Sequence, residues 1–387
     1  MKVLHVVPSY LPATRYGGPI HAVHGLCRGL ARRGHEIHVF TTNVDGPGDS
    51  NVPLGSPVEL GGVQVWYFPA RHFRRLYWAP AMREALKAHL GSFQLVHLHS
   101  VFLWPTWAAA RCARTAGVPY VLAPRGMLVK DLVRRKSRLA KLAWIRFVER
   151  NNLERASAIH VTSERERDDL VEFKFRLPSL LLVPNGIDPE AAELQEAASV
   201  PDSSAGPYVL FLGRINWKKG LDRLLAAMRH APGTRLLVAG NDEENYLPAL
   251  ERLAAEQGVR DRVQFVGPVE GGRKQALLHN ALALVLPSYS ENFGNAVLEA
   301  MAAARPVIVT PEVGLSTVVR ETEAGLVVDG GAEAIGRAIA RLASDRALGD
   351  AMGRNGRRTV LDKFTWTAVC EQMEAGYKKI LRDDGSG

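Results

Sequence analysis

The chain has 387 residues, of which 47% are hydrophobic and 23% are charged, and it carries a formal net charge of +9. This length is too great for one ordinary hydrophobic core and suits two domains, while the apolar fraction argues against general disorder. Its three cysteines, Cys27, Cys112 and Cys370, are widely spaced in the chain and predict neither a disulfide framework nor a zinc site, so we expect a reducing compartment.

Two apolar stretches are candidates for a targeting signal or a membrane span. The first, Lys2–Val7, is too short for the core of a signal peptide. The second, Ala88–Ala110, lacks Asp, Glu, Lys and Arg but contains three histidines and a proline, so it does not predict a membrane span. We therefore expect a soluble cytoplasmic protein.

Short apolar runs alternate with longer amphipathic segments along the whole chain. Continuous apolar runs are typical of parallel strands that are covered on both faces. In the first half these runs are Lys2–Val7, Glu36–Thr41, Val63–Phe68, Leu95–His99, Tyr120–Ala123, Ala158–Thr162 and Leu180–Val183, with helical spacing over Ile20–Arg33 and Thr106–Ala116. In the second half they are Tyr208–Leu212, Arg235–Ala239, Val263–Val266, Leu282–Leu286 and Val307–Val309.

This alternation predicts an α/β fold with two Rossmann-like domains, residues 1–188 and 207–364. Residues 189–206, rich in Ala, Ser, Pro and Glu, read as the linker. Ligands of such folds bind at the carboxyl ends of the strands, so we expect the two domains to face each other across a cleft. A last amphipathic stretch, Thr365–Leu381 within residues 365–387, is expected to pack back on the first domain.

The positive charge is unevenly distributed. Residues 1–190 hold 26 Lys and Arg against 15 Asp and Glu, a net of +11, and the remainder has a net of −2. An anionic partner of the first half is therefore expected, and nucleic acid, a phosphorylated ligand and a membrane surface all qualify.

Two motifs in the second half follow predicted strands. The segment Gly213–Gly220 (GRINWKKG) places Arg214 and Lys219 between a strand and a helix, which is typical of an anion-binding loop. The segment 288–300 (SYSENFGNAVLEA) places Glu291 in a loop and Glu299, eight residues later, inside an apolar helix that Asn295 is expected to cap. Because a buried carboxylate needs a partner, Glu299 is expected to have one.

Several common signatures are absent from the sequence. No GxGxxG follows a strand, and there is no GxxxxGK[ST], GxSxG, HExxH or D-x-D. These absences count against a dehydrogenase, a P-loop nucleotidase, an α/β-hydrolase, a zinc peptidase and a diphosphate held by a metal.

Four elements in this order resemble the retaining glycosyltransferases of GT-B architecture, specifically the large family 4 (group 1). They are the early Gly17-Gly18 loop, the PNGID hinge (Pro184–Asp188), the GRINWKKG loop and the E-x7-E element from Glu291 to Glu299. The similarity covers essentially the whole chain. It implies a metal-independent hexosyltransferase without a cofactor, whose substrate is a UDP- or GDP-linked sugar.

The resemblance also implies roles for individual residues. Arg214 and Lys219 would neutralise the diphosphate, Glu299 would hold the ribose hydroxyls and Glu291 would contact the donor sugar. The backbone would approach the donor closely at three glycines, Gly17, Gly18 and Gly213. The backbone amides of one loop would bind oxygens of the donor, and these residues are Asn292, Phe293, Gly294 and Asn295.

One position departs from the family. Many relatives have a His-Gly pair after the strand corresponding to Tyr120–Ala123, whereas this chain has Pro124-Arg125-Gly126. Either Arg125 or His99, at the end of Leu95–His99, takes the role of that histidine, and the sequence leaves both open.

The positive charge of residues 1–190 predicts that this half of the chain binds the acceptor. Arg125–Arg150 combines nine Lys and Arg with Trp144 and other apolar residues, and Arg71–Trp78 has similar chemistry. Together with the resemblance, this favours a glycan or polyprenyl-pyrophosphate-linked acceptor in cell-surface polysaccharide synthesis (exopolysaccharide or lipopolysaccharide). It also favours peripheral association with the inner face of the plasma membrane. The sequence does not indicate an oligomeric state.

Two other functions are alternatives to glycosyl transfer. A sugar-nucleotide 2-epimerase also has two Rossmann-like domains, but the E-x7-E element favours transfer. A nucleic-acid-binding protein would use the basic half, but no recognised nucleic-acid-binding module is present. Nucleic acid is therefore not expected as a partner.

Overall fold

The computed structural model describes residues 1–13, 17–129, 142–189, 206–242 and 244–384. The chain divides into two compact units, one of Met1–Gly186 with Trp366–Gly387 and the other of Ile187–Thr365. From the sequence, the first domain was expected to end at residue 188 and the second at residue 364. The linker expected at 189–206 lies outside the described residues apart from its two ends.

The first unit is built on an eight-stranded sheet. Its strands, with the separate antiparallel pair β3 and β4, are β1 (Lys2–Val6), β2 (Glu36–Thr42), β3 (Val44–Asp45), β4 (Gly48–Asp49), β5 (Val58–Leu60), β6 (Val63–Phe68), β7 (Leu95–His99), β8 (Tyr120–Ala123), β9 (Ala158–Val161) and β10 (Ser179–Leu182). The order is β10-β9-β8-β7-β1-β2-β6-β5. Every neighbouring pair is parallel except β5 with β6.

Both faces of this sheet are buried. Leu4 and Val6 of β1 enter one hydrophobic cluster, while Val3 enters another, because successive side chains of a strand point to opposite faces. The helical segments of the unit are Gly18–Arg32, Pro80–His89, Trp104–Ala116, the π-helical turn Ile145–Glu149, Arg150–Glu154, Glu164–Val171 and Trp366–Asp384.

The last helix of the chain belongs to this first unit. Its residues Val369, Met373 and Tyr377 are buried in the same cluster as Val3 of β1. Trp366, at its start, lies so close to the first helix that a Cβ added at Gly25 would stand 2.1 Å from its ring. The helix therefore covers one face of the first sheet as a structural part of the unit.

The second unit contains a six-stranded, all-parallel sheet. Its strands are β11 (Tyr208–Leu212), β12 (Arg235–Ala239), β13 (Val263–Gly267), β14 (Leu284–Leu286), β15 (Val307–Val309) and β16 (Gly325–Val327). Its helices are Leu221–Ala227, Leu247–Glu256, Gly271–Asn280, Asn295–Ala302, Ser316–Glu321, Ala332–Ser344 and Arg346–Lys363. No helix within the described ranges is both long enough and apolar enough to cross a bilayer.

Each sheet has one point at which the winding direction reverses. In the second unit the order is β13-β12-β11-β14-β15-β16, so the reversal lies between β11 and β14. In the first unit it lies between β1 and β7. Open parallel sheets bind ligands outside the carboxyl ends of the strands at such a reversal. These two parallel sheets confirm the predicted α/β fold class and mark where each unit is expected to bind ligand.

Candidate functional site

The loop after β11 carries the predicted anion-binding cations. The Ile215 N–H donates a hydrogen bond of 2.7 Å to the carbonyl of Asn241, which fixes this loop to the segment after β12. A 3-10 turn, Trp217–Lys219, then leads into the helix Leu221–Ala227. Arg214 and Lys219 are partly exposed. Two cations thus lie on a well-fixed loop beside the reversal point of the second sheet.

The loop after β14, on the other side of that reversal, is held by two neighbouring loops. The Tyr289 N–H donates to the carbonyl of Lys218 at 2.7 Å. On its other side the Glu291 N–H donates to the Glu312 carbonyl at 3.1 Å, and the Gly314 N–H donates to the Glu291 carbonyl at 2.9 Å. Backbone hydrogen bonds on both sides of Glu291 therefore fix the position of its main chain.

The helix that follows begins differently from the prediction. Asn295 is the first helical residue and not the cap; the N-cap is Gly294, in a left-handed conformation with φ 102° and with no side-chain cap bond. The Phe293 side chain is only 3% exposed and packs against Phe364, so any contact it makes with a donor comes from its backbone. Among the described residues, the N–H groups of Phe293 and Gly294 donate to no acceptor. Two amides thus remain available to oxygen atoms of a ligand.

Two ion pairs join the carboxylates of the E-x7-E element to lysines. The Lys219 ammonium contacts the Glu291 carboxylate, and the two side chains are 15% and 17% exposed. The Lys274 Nζ lies 3.1 Å from Glu299 Oε1. The side chain of Glu299 is 26% exposed, so it is partly buried where the apolar helix predicted a buried carboxylate, and it has the expected partner. Lys274 was missed by sequence reasoning because it lies on a different helix and no spacing connects it to Glu299.

In the first unit, Gly17 and Gly18 follow β1 at the reversal of that sheet. Gly17 caps the helix Gly18–Arg32 with φ 67°, a left-handed conformation that favours glycine. Among the described residues, no atom lies within 4 Å of the position that a Cβ on Gly17 would take. No described side chain therefore crowds the backbone at this helix start, where the resemblance implies contact with the donor.

His99 and Arg125, the two candidates left open by the sequence, are in direct contact. The Arg125 Nε and Nη2 lie 3.3 and 3.1 Å from His99 Nδ1, and Nη1 donates to Asn185 Oδ1 at 3.1 Å. Burial lowers the pKa of both groups, and the Arg125 charge further lowers the pKa of His99. The two residues therefore form one unit in which arginine supplies the charge and histidine accepts its hydrogen bonds.

Backbone strain is concentrated at the carboxyl ends of β7 and β8. Ser100, Phe102 and Arg125 have φ values of 75°, 65° and 56°, a left-handed region that costs energy for residues other than glycine. The Glu149 carboxylate holds the first loop by accepting from the Phe102 N–H at 2.6 Å. Glu166 holds the second by accepting from the Gly126 N–H at 2.6 Å. Such strain is typical of functional sites.

Sequence reasoning also missed a cluster of buried histidines around His99. His5, His97 and His99 place ligand atoms within 4.8 Å of one another, close enough for a metal ion. However, five of their six ring nitrogens are hydrogen-bonded to one another, to Tyr377, to His160 and to Arg125; the exception among the described residues is His5 Nε2. No carboxylate belongs to the group, and the Arg125 guanidinium beside it would repel a cation. The cluster fits a hydrogen-bond network better than a metal centre.

The predicted basic segment is only partly described. Lys130, Arg134, Arg135, Lys136, Arg138 and Lys141 lie outside the described residues. Beyond them, Ile145 and Glu149 are buried whereas Phe147 is 75% exposed. The described end of the segment therefore buries a carboxylate and exposes an aromatic side chain, which is not the simple division into an apolar and a basic face that the sequence predicted.

Both halves of the chain match models of known glycosyltransferase families. Residues 17–186 match the model of the "Glycosyl transferase 4-like domain", and residues 195–359 match that of the "Glycosyl transferases group 1". An uncharacterized glycosyltransferase of Methanocaldococcus jannaschii is 28% identical over 98% of this chain and 98% of its own length.

Two solved structures resemble the whole chain. Sucrose-phosphate synthase from Thermosynechococcus elongatus has a TM-score of 0.78 and 26% identity, with 99% of each chain covered. HepE from Anabaena, solved in complex with UDP and glucose, has a TM-score of 0.77 and 17% identity, with 98% of this chain and 100% of that chain covered. With the two family matches, the parallel sheets and the loops at their reversal points, these findings show that the chain belongs to the group 1 family of GT-B glycosyltransferases.

Proposed function

We propose that this chain transfers a hexose from a UDP- or GDP-linked sugar to a glycan or lipid-linked acceptor, with retention of the anomeric configuration and without a metal ion. The observation that carries this proposal is the set of charged groups at the β11–β14 reversal. Lys219 and Arg214 supply positive charge, and Glu291 and Glu299 supply carboxylates. The N–H groups of two residues between these glutamates in the sequence have no acceptor among the described residues. The complex of HepE with UDP and glucose supports a nucleotide-linked donor.

Each group has a chemical task in the proposed reaction. An ammonium has three N–H donors, so Lys219 can keep Glu291 while also binding a diphosphate oxygen. Glu299 accepts hydrogen bonds from ribose hydroxyls, and Glu291 accepts them from the donor sugar. The Phe293 and Gly294 amides bind further oxygens of the donor. Fixed cations and amides stabilise the charge that develops on the leaving diphosphate, which is how these sites dispense with a metal.

The bonding changes follow from retention. The bond between the anomeric carbon and the phosphate oxygen breaks, and the acceptor oxygen bonds to that carbon on the same face. The acceptor's hydroxyl proton passes to the departing diphosphate. No separate general base is required, which agrees with His99 being buried and held by two hydrogen-bonding partners.

A ligand-stabilisation experiment tests the donor class. The melting temperature is measured in EDTA with UDP-, GDP- and ADP-sugars, and with an oligonucleotide for comparison. A ligand at one hundred times its Kd stabilises the folded state by about 2.7 kcal/mol, so at least one UDP- or GDP-sugar should raise the melting temperature. If no nucleotide sugar shifts the melting temperature, or if only the oligonucleotide does, the proposal fails.

We also propose that the first unit associates with an anionic membrane, at the inner face of the cytoplasmic membrane, where a polyprenyl-linked acceptor resides. The supporting feature is the loop Arg71–Trp78. Phe73 is 72% exposed and Leu76 is 42% exposed, and Arg71 and Arg75 beside them are also exposed. Exposed apolar side chains flanked by arginines are suited to the headgroup region of an anionic bilayer.

Vesicle sedimentation tests this association. Phe73→Ser and, separately, charge reversal at Arg134, Arg135 and Lys136 should weaken binding to phosphatidylglycerol vesicles, whereas neutral phosphatidylcholine vesicles should bind weakly throughout. Leu361→Ser removes a side chain that is 46% exposed in the second unit and serves as the matched control. Equal binding by all variants would contradict the membrane proposal and leave the donor proposal standing.

A further inference from the structure

Four buried histidines of the first unit lie on one face of its sheet. His5 on β1 pairs in register with His97 on β7; His99 is two residues further along β7, and His160 is on β9. None of them is more than 2% exposed. Their ring nitrogens form two hydrogen-bonded chains, and in both chains one end fixes the position of every proton.

The first chain begins at Arg125. A guanidinium can only donate, so His99 Nδ1 must carry a lone pair and accept from it. The proton of His99 is therefore on Nε2, which donates to His5 Nδ1 at 3.0 Å. That in turn places the proton of His5 on its own Nε2, which has no partner among the described residues.

The second chain ends at a backbone carbonyl. The Val183 carbonyl can only accept, so His160 Nε2 carries a proton and donates to it at 2.8 Å. His160 Nδ1 therefore accepts from His97 Nε2 at 3.2 Å, and His97 Nδ1 accepts from the Tyr377 hydroxyl at 2.6 Å. Burial lowers the pKa of all four imidazoles, and Arg125 lowers each further, so all four are neutral.

Arg125 is therefore held entirely by neutral partners. Its two acceptors, His99 and Asn185, carry no charge, and no carboxylate of the described residues lies within 4 Å of its guanidinium nitrogens. The charge of Glu166 raises the pKa of Arg125, but the Glu166 oxygens accept hydrogen bonds from Gly126 and Thr162. A partly buried cation whose charge is not neutralised by contact attracts an anion.

We propose that His99, His5 and Asn185 are positioning residues that hold Arg125 as an un-neutralised guanidinium for phosphate oxygens of a substrate at the carboxyl edge of the first sheet. This rests on the proposed function, since the phosphate belongs to the donor diphosphate or to a phosphorylated acceptor. His99 and Arg125 then do not compete for one role. Arg125 contacts the substrate, and His99 keeps it in place.

The test compares two asparagine-to-aspartate changes. Asn185→Asp keeps an oxygen acceptor for Arg125 but places a carboxylate against it. Asn355→Asp is the matched control, because Asn355 Oδ1 accepts from Arg358 Nη2 at 3.2 Å on the helix Arg346–Lys363 of the second unit. Both changes add the same charge beside an arginine, but only the first should affect anion binding.

The measurement is the affinity of the full chain for pyrophosphate, and for UDP and GDP, by calorimetry. Asn185→Asp should weaken pyrophosphate binding about tenfold or more, the usual loss for a charge-assisted bond, while Asn355→Asp should match the wild type. Equal pyrophosphate affinity in both variants would overturn the inference. That result would not touch the proposed function, whose failure would appear instead as a wild-type protein that binds no nucleotide.

Histidine variants separate positioning from folding. His99→Asn offers an oxygen near the place of Nδ1 and should retain kcat/KM within a few-fold, whereas His99→Leu should lose about 10²-fold. A rise in KM for the donor alone assigns the phosphate to the donor, and a rise for the acceptor alone assigns it to the acceptor. If His99→Leu folds and keeps wild-type kcat and both KM values, His99 is not a positioning residue.

Discussion

At the scale of single residues, the site depends on lysines that orient carboxylates. The sequence identified Glu291, Glu299, Arg214 and Lys219, because each follows a strand and sits in a recognisable motif. It did not identify Lys274, whose ammonium is 3.1 Å from Glu299. This contact arises from the packing of two helices, which no local pattern records.

We expect Lys274→Ala to raise the donor KM several-fold with a smaller change in kcat. A partly exposed ion pair is worth on the order of 1 kcal/mol, and its loss leaves Glu299 less well oriented toward the donor. Steady-state kinetics with a saturating acceptor measures the effect. Arg273→Ala, which removes an exposed neighbouring cation, should have no effect, and an equal rise in KM for both variants would refute the orienting role.

At the scale of elements, the order of strands and helices could be predicted from apolar runs, but the partners across the sheet could not. The GRINWKKG and E-x7-E loops were placed correctly at the carboxyl ends of β11 and β14. The buried histidine chains were not foreseen, because the parallel register that sets His5 beside His97 joins residues 92 positions apart. The cap of the helix Asn295–Ala302 was also misassigned, because Gly294 takes the left-handed conformation in place of a side-chain cap.

Gly220 lies against the start of the loop after β14, at the proposed donor site. It has φ 68°, and a Cβ there would lie 2.0 Å from the Pro287 carbonyl after β14. Gly258 has the same φ of 68°, and no atom in the described part of the chain lies within 4 Å of its Cβ position. We expect Gly258→Ala to cost about 1 kcal/mol for the left-handed backbone alone, and Gly220→Ala to cost about 3 kcal/mol or more because it adds a backbone collision.

Urea unfolding of the two glycine variants measures this difference. Since Pro287 leads into the loop of Glu291, Gly220→Ala should also lower donor affinity, whereas Gly258→Ala should not. Equal free energies of unfolding for the two variants would show that the two loops can separate without cost.

At the scale of the whole molecule, the buried histidines make stability depend on pH. Burial lowers the pKa of His5 and of His160 to about 3 and that of His24 to about 4, and it also lowers those of His97 and His99. In the unfolded chain a histidine has a pKa near 6.5 and takes up a proton below it. The folded state is therefore fully favoured above pH 6.5 and loses stability as the pH falls from 6.5 toward 3.

Each such histidine contributes a slope of up to about 1.4 kcal/mol per pH unit in that window. We expect the free energy of unfolding to fall steeply between pH 6.5 and pH 5, measured by denaturant titration at several pH values. The variant His24→Gln, at a position outside the Arg125 network, should make this slope shallower, by less than one full proton because His24 is only partly buried. A stability that is constant from pH 7 to pH 5 would contradict neutral, buried histidines.

The central claim is that donor cleavage depends on the charges at the β11–β14 reversal and not on a metal ion. The most direct measurement is the rate at which the wild type and Lys219→Ala release nucleoside diphosphate from UDP- and GDP-sugars in EDTA. The expected result is turnover of at least one donor by the wild type and a 10²–10³-fold lower kcat/KM for a folded Lys219→Ala variant. Turnover only after a divalent metal is added, or a variant within a few-fold of the wild type, would contradict the account.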